Sequence, residues 1–483
     1  MATTSRDGSP ARSGNETASA TPPFDVISNY KEWTASAEHR EAVAEIVRRM
    51  ELDGIDGVYL VSPSLDGRPV GKFVARDNFE RVAINGIGLH PLALTDFRAT
   101  LWGQPIGFNE DDREGTIVPD PATFRQLPWE PRLARAFCFY YDTDSGDIRD
   151  LDPRGTLARH EHIFANEVGA NMMVGIEPEL MWLRRKDDGE LEHTVEPFAF
   201  YEIAYLEEWE PILLDLIEYG RGMGIPISHA DSEDKSQVEV NQAPGTPLAY
   251  VDNFYTYRQL CRIVARKHGL IATFMAKPFM GCSANGHHHS LSLVDDAGEN
   301  VMAGDLKGRS RLSEAGAHFL GGLIDHVDAM TVIGAPSANS YKRFWDIGMW
   351  APFHKSYGFD NRSCLFRVRP TSVIEARGMD ASCNPYLTVS ACLVCGLDGI
   401  RNGTDPGEPA EGNLMQDLTI PREERIPTVL NEAIDAFKAD DLMRELFRPE
   451  LYETFVGLRQ DDMDRYWAHV SAWEREFYLE RWP

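Results

Sequence analysis

The chain has 483 residues, 43% hydrophobic and 10% aromatic, with 48 Lys and Arg against 76 Asp and Glu and a formal net charge of −28. That length and apolar content suffice to bury a core in one large domain or several, which excludes disorder as the default state. So acidic a body attracts neither nucleic acid nor an anionic membrane, leaving soluble small-molecule chemistry as the expectation; a bound phosphate would require Lys and Arg to be gathered locally.

Residues 1–23 are rich in Ser, Thr, Ala, Gly and Pro and are expected to form a disordered leader without chemistry. Glu41 to Met50 has the pattern of an amphipathic helix. Gly57–Leu60 and Gly71–Val74 read as short strands joined by the turn Ser64-Leu-Asp-Gly67, and a small sheet domain is expected over 24–147. Residues 148–483 are expected to form a second, larger domain, in which Arg154–Val168 reads as a helix, Asn171–Leu183 as an apolar strand and Trp209–Gly222 as a second helix. From Arg448 to Pro483 the pattern is largely helical and rich in aromatic residues, among them Trp467, Trp473 and Trp482, a surface suited to packing on a neighbour. No apolar stretch reaches the roughly 20 residues that span a bilayer. The seven scattered cysteines, 138, 261, 282, 364, 383, 392 and 395, suit free thiols in a reducing compartment, and Cys392-x-x-Cys395 reads as one face of a buried helix. A cytoplasmic protein is expected.

Several constellations could carry chemistry. In Gly175-Ile-Glu-Pro-Glu-Leu180, Glu177 and Glu179 stand two apart on a strand, so both carboxylates point to one face among apolar neighbours, an arrangement of hard oxygens suited to Mg²⁺ or Mn²⁺. Asp231, Glu233, Asp234 and Glu239 form a second acidic group, with Gln237-Val-Glu239 alternating as a strand does; alone it reads as a charged loop. In Gly286-His-His-His-Ser290, extended backbone turns His288 away from His287 and His289, so only some of the three can face one site. Two carboxylate clusters plus a histidine make a ligand set for two divalent cations. Basic residues gather later, in Asn339-Ser-Tyr-Lys-Arg343, Asn361-Arg-Ser363, Arg367, Arg369 and Ile374-Glu-Ala-Arg377. Guanidinium forks match carboxylate and phosphate oxygens, so this cluster in an acidic chain points to an anionic substrate and, with metals, to phosphoryl transfer. No P-loop, G-x-G-x-x-G or kinase signature is present to hold the nucleotide.

The order of these motifs resembles that of glutamine synthetases: the E-x-E strand, the Q-x-E strand, H-G-L-x-A-T-F-M-x-K-P at His268–Pro278, a His after N-G, N-S-Y-K-R, N-R-S, I-E-x-R, and N-P-Y-L followed by G-L-D-G-I. Val118-Pro-Asp120 and Pro128-Trp129 extend the likeness toward the N-terminus, and Val470-Ser-Ala-Trp473 resembles the tail of the amine-ligase branch. The resemblance implies an α+β fold with a small N-terminal β-grasp domain, a large C-terminal catalytic domain, and stacked rings with sites between subunits. It implies ATP, two to three Mg²⁺ or Mn²⁺ ions, L-glutamate and an amine. Glu179, Glu239 and either Asp231 or Glu233 would hold one metal, and Glu177, His288 and Glu375 another. Arg343 and Arg377 would bind the glutamate carboxylates and Arg362 and Arg367 the phosphates, with Lys342 and Ser290 on the nucleotide side and Ala284 in the substrate loop. Asp96, in Leu94-Thr-Asp-Phe97, is placed as the acid that helps receive the amine.

Three departures bear on the reaction. Where the family's flap carries a Glu in a Glu-Ala-Pro context, this sequence has Trp350-Ala-Pro352. The second His of an H-x-H pair falls on Ser290 and a loop glycine on Ala284. The Arg two positions before the I-E-x-R glutamate falls on Val373. A tryptophan cannot deprotonate ammonium, whereas an aryl amine is already neutral near pH 7 and needs an apolar or aromatic wall. Trp350, with Phe344, Trp345, Met349 and Phe353 nearby, favours an aromatic or small alkyl amine over ammonia, as in γ-glutamylanilide-type synthetases. An ammonia-dependent glutamine synthetase and a catalytically silent binding or regulatory paralogue are the alternatives.

Overall fold

The structure is a computed structural model describing residues 20–109, 111–195, 200–304, 311–346, 350–416 and 419–481; most of the expected leader, Met349 and Trp482 lie outside them. The end of the leader is tied down, because the Thr21 hydroxyl donates to Asp120 at 2.7 Å.

The N-terminal sheet contains β1 (Gly57–Pro63), β2 (Pro69–Ala75), β3 (Ile87–Leu89), β4 (Gly115–Pro119), β5 (Arg125–Leu127) and β6 (Glu130–Tyr141), in the order β2-β1-β6-β4-β3 with β5 added on β6. Helices α1 (Ala37–Leu52) and α2 (Arg76–Asn85) pack their apolar stripes, Val43, Ile46 and Met50 on one and Phe79 and Val82 on the other, into this domain's core. Helix α1 starts where Ser36 caps it by accepting from the His39 N–H at 3.2 Å. The hairpin β1–β2 and the parallel central pair β1–β6 give the β-grasp arrangement.

The larger sheet contains β7 (Asn171–Arg185), β8 (Leu191–His193), β9 (Ile227–Ser232), β10 (Gln237–Gln242), β11 (Ile271–Thr273), β12 (His287–Val294), β13 (Tyr357–Phe359), β14 (Phe366–Val368) and β15 (Ile374–Ala376), ordered β13-β14-β15-β12-β7-β10-β9. Strand β7 is central and alternates: Met172, Val174, Ile176, Pro178 and Leu180 are buried, while Met173, Gly175, Glu177 and Glu179 face the other way. The buried side packs on α3 (Pro153–Val168), which ends at left-handed Gly169. Beside α3 lies α5 (Pro247–Lys267), which follows α4 (Glu210–Met223) and the β9–β10 hairpin. The Tyr250 hydroxyl on α5 accepts from the Ile176 N–H at 2.7 Å and donates to the Ile176 carbonyl at 3.2 Å, pinning β7 from behind.

Arg154, fully buried, joins the two parts by donating to Asp120 at 2.8 Å and to Asp252 at 2.7 Å, and the Tyr386 hydroxyl donates to Asp252 at 2.6 Å. The Val118-Pro-Asp120 motif is therefore a structural joint. Further helices are α6 (Glu314–Asp325), α7 (Val327–Gly334), α8 (Pro385–Asn402), α9 (Leu430–Ala439), α10 (Asp441–Trp467) and α11 (Ala472–Tyr478). Cys392 and Cys395 are buried on α8, and all seven cysteines are free and buried. The C-terminal run is helical with a break the sequence reading did not include: Arg448, at φ 56°, interrupts α10 just before Pro449. Trp467 and Trp473 are 71% and 59% exposed, and Trp473 stacks on Phe477 at 4.9 Å. No described helix is long and apolar enough to cross a membrane.

Candidate active site

A cavity of about 950 Å³ lies over the polar face of the larger sheet. Strand register builds it. Asp231 on β9, Glu239 on β10 and Glu179 on β7 are successive Cα partners, so their side chains form one row across three strands. Two residues along β7, Glu177 is the partner of His288 on β12; two further on, Ser290 is the partner of Glu375 on β15, which is in turn the partner of Arg367 on β14. The period of two keeps all these groups on one face.

In the second and third rows His288 Nδ1 lies 3.6 Å from Glu177 Oε2 and 3.9 Å from Glu375 Oε1, and one donor atom from each of the three residues fits within 4.8 Å of the others. His287 and His289 point to the opposite side, into the core, where His287 packs on Phe254 at 4.7 Å and His289 Nε2 lies 2.8 Å from the Thr388 hydroxyl. Burial pushes the His287 imidazole well below its ordinary range and His289 down to about 4.

Glu179 accepts from Gln237 Nε2 at 2.9 Å and from the Gly286 N–H at 2.7 Å, and Glu239 accepts from Asn241 at 2.6 Å. Burial and the neighbouring Glu177 and Glu179 push Glu239 up to about 9, and burial with Glu179 and Asp231 pushes Glu233 up to about 8. Burial alone would raise Glu177, but hydrogen bonds and positive charge from His288 and Arg369 hold it down to about 2. Carboxylates crowded enough to retain protons at neutral pH lack a counter-charge, and a set of hard oxygens with one imidazole fits divalent cations of the Mg²⁺ or Mn²⁺ type. Asp231 and Glu233 both line the cavity.

The fully buried Glu375 gathers Arg367 at 2.9 Å, Arg369 Nε at 3.0 Å and Arg377. Arg369 also bonds Glu177. Arg343, Arg362, Arg367, Arg369 and Arg377 all line the cavity, with Ala284, Ser290 and Val373. Arg369, to which the sequence reading gave no individual role, enters because its N–H donates to the Val373 carbonyl at 2.9 Å in the β14–β15 turn, which sets it across from Val373. Asn241 and His229, which also line the cavity, were missed, although each alternates with an acid already singled out.

Three expectations find a different placement in this chain. Lys342 is exposed, with Nζ over the Tyr466 ring at 5.8 Å, outside the cavity lining. Asp96 is also outside it, held at φ 58° and accepting from Arg68 Nε at 3.0 Å in the N-terminal domain. The aromatic wall differs in membership. Trp350, 48% exposed and at φ 63°, does line the cavity, but Phe344 and Phe353 are packed in the core, and Trp345 donates to the Thr428 carbonyl at 3.0 Å. Phe200 and Tyr201 line it instead.

The pattern of the glutamine synthetase catalytic domain matches residues 150–478, more than half of the chain. The chain belongs to the glutamine synthetase family. Among glutamine synthetases it is 32% identical over 462 residues to that of Halobacterium salinarum, covering 93% of this chain and 98% of that one. It is 31% identical over 424 residues to that of Pyrococcus abyssi, covering 86% and 92%. Two solved structures of GmaS, one complexed with ADP and one without ligand, superpose with a TM-score of 0.81 at 26% identity, covering 90% of this chain and 99% of theirs. As a member of this family the chain is an ATP-dependent carbon–nitrogen ligase, and family members bind glutamate, ATP, divalent metals and an amine or ammonia.

Proposed function

We propose that the chain joins the side-chain carboxylate of L-glutamate to an aromatic or small alkyl amine in preference to ammonia, through a γ-glutamyl phosphate. The observation that carries this reading is Trp350 at the cavity lining, with Phe200 and Tyr201 on the same lining. These rings supply apolar surface for the carbon body of an aryl or alkyl amine, which ammonia lacks, and an aryl amine also arrives neutral and needs no base. The fold likeness to GmaS, a γ-glutamylmethylamide synthetase, supports the same reading.

In this reading Glu179, Glu239 and Asp231 or Glu233 hold one divalent ion and Glu177, His288 and Glu375 a second. Bound ions offset the negative oxygens of ATP and of the transferring phosphoryl group. Arg343 and Arg377 hold the glutamate carboxylates, with Ala284 in the adjoining loop. Arg362 and Arg367 meet the phosphates, with Ser290 beside them. A carboxylate is a poor electrophile until phosphorylated, and the amine then displaces phosphate to form the amide. Because Asp96 lies outside its own chain's cavity, it acts in this reading from a neighbouring subunit of a ring, completing a site shared between copies.

The test incubates the purified protein with ATP, Mg²⁺ and L-glutamate, in parallel with ammonia, isopropylamine, ethanolamine, putrescine and aniline, and follows phosphate release and γ-glutamyl product by mass spectrometry. Fastest turnover with aniline or isopropylamine supports the proposal, and fastest turnover with ammonia overturns it. The ammonia reading has one observation in its favour, that curated relatives at 31–32% identity are named glutamine synthetase.

A further inference from the structure

Strands β5 and β6 bring Arg125 and Arg135 together as direct Cα partners of an antiparallel pair. Like charges directly opposite on neighbouring strands repel. Arg135 is only 4% exposed; it donates to the Thr256 hydroxyl and lies over the Phe137 ring at 4.4 Å, while its Nε is buried with no partner. Arg125 donates to the Ala122 and Phe124 carbonyls at 3.0 and 2.7 Å. Among the described residues neither guanidinium has a carboxylate within 4.0 Å, and the acids of this region, Asp120 and Asp252, are already bound by Arg154. Asp252 lines the same cavity and attracts both guanidinium groups from a distance while it is bonded to Arg154. A guanidinium held out of water without a carboxylate bonded to it is costly, so the fold carries a positive pair that an anion would relieve.

Both arginines line one cavity of about 450 Å³, which shares no lining residue with the catalytic cavity. Its other walls include the apolar surfaces of Phe137, Ala158 and Leu248. Glu161 also lines it, accepting from the Leu248 N–H at 3.0 Å, and burial pushes this carboxyl up to about 7, which weakens its opposition to an incoming anion. A bare inorganic ion would leave the apolar walls uncovered, whereas an anion with a short carbon body would cover them.

We propose that this cavity is a second ligand site, for a small organic carboxylate whose charge is met by Arg125 and Arg135 and whose carbon body lies against Phe137 and Leu248. The site is placed to influence catalysis. Leu248 is on the first turn of α5, two residues from Tyr250, whose hydroxyl holds Ile176, the residue next to Glu177 on β7.

Thermal unfolding with succinate as probe and inorganic phosphate as comparison tests this, on the full chain and three variants. The catalytic-cavity variant Arg343→Met controls for binding at the glutamate site. Succinate is expected to raise Tm by several degrees in the parent and in Arg343→Met, and to have no effect on Arg125→Gln or Arg135→Met. Without ligand, Arg135→Met is expected to unfold at or above the parent's Tm, because an unpaired buried charge has gone; if that variant fails to fold, Arg125→Gln decides. No succinate shift in the parent overturns the proposal, as does a shift lost in Arg343→Met and kept in Arg125→Gln. An equal response to phosphate overturns the assignment to an organic anion.

Discussion

Glu177 and His288 face each other as Cα partners on β7 and β12, with His288 Nδ1 3.6 Å from the nearer Glu177 oxygen and the buried Glu375 3.9 Å from the same nitrogen. One donor atom from each of these three residues fits within 4.8 Å of the others, so His288 offers a divalent ion a nitrogen ligand beside two carboxylates. Replacing His288 by Asn is therefore expected to reduce Mn²⁺ affinity on the order of 10- to 100-fold, measured by calorimetry at pH 7.5.

The first acidic row leads to a stability prediction. The Glu239 carboxyl stands at about 9 in the folded chain against an ordinary value of 4.5. The folded state thus binds more protons than the unfolded state between those values, so metal-free stability must fall as pH rises through that window. Chemical denaturation in EDTA from pH 5 to 9 should show this decline, and Glu239→Gln should flatten it while abolishing most ligase activity. A metal-free stability that rises with pH over the window, to the same extent in both proteins, would refute the argument.

Arg369 and Val373 face each other across the β14–β15 turn, and of these two it is Arg369 that brings a guanidinium, which bonds both Glu177 and Glu375. Arg369→Met is expected to lower kcat by roughly 10²-fold with a smaller change in the KM for the amine. The double variant Arg369→Met/Val373→Arg should recover much of that loss, since it returns the charge from the opposite strand. Steady-state kinetics with saturating glutamate separates the two.

Trp350 sits half exposed at the catalytic cavity with a positive φ. Trp350→Ala should lower kcat/KM for aniline or isopropylamine by roughly tenfold or more, with little effect on the KM for ATP. Equal losses for every amine, ammonia included, would make the ring a structural plug.

His326 lies away from both cavities, bridging Asp440 at 2.7 Å and Asp398 at 3.2 Å, and these carboxylates outweigh its burial and push its imidazole up to about 9. A raised folded pKa contributes stability that is complete below the ordinary value of 6.5 and is lost as pH rises through about 9. The urea midpoint of His326→Gln should fall below the parent's at pH 6, and the gap should close by about pH 10.

Much of the site was legible because a strand displays its face at every second residue. Glu177 and Glu179, Gln237 and Glu239, and His288 between two buried histidines could each be assigned a side from spacing alone. Spacing does not show which strands become neighbours, and it is the β14–β15 pairing that brings Arg369 against Glu375. The aromatic wall failed for a related reason. Phe344, Trp345 and Phe353 are close to Trp350 in sequence but turn to the core or to Thr428, whereas Phe200 and Tyr201 arrive from a distant segment. Asp120 and Arg154 read as family motif or plain helix, and only the fold shows them as two ends of one buried joint.

Strand β7 alternates core and cavity residues without interruption from Met172 to Leu180. A shift of one position would turn Val174, Ile176 and Leu180 to water, forfeiting roughly 1.5–3 kcal/mol for each, and would drive Glu177 and Glu179 into hydrocarbon at several kcal/mol per ion. Misregistration of this strand would therefore yield insoluble protein and not a soluble but inert one. Inactive variants recovered from the soluble fraction of a random library should carry lesions in side chains at the cavity, and those that disturb the backbone of β7 should be found in the pellet.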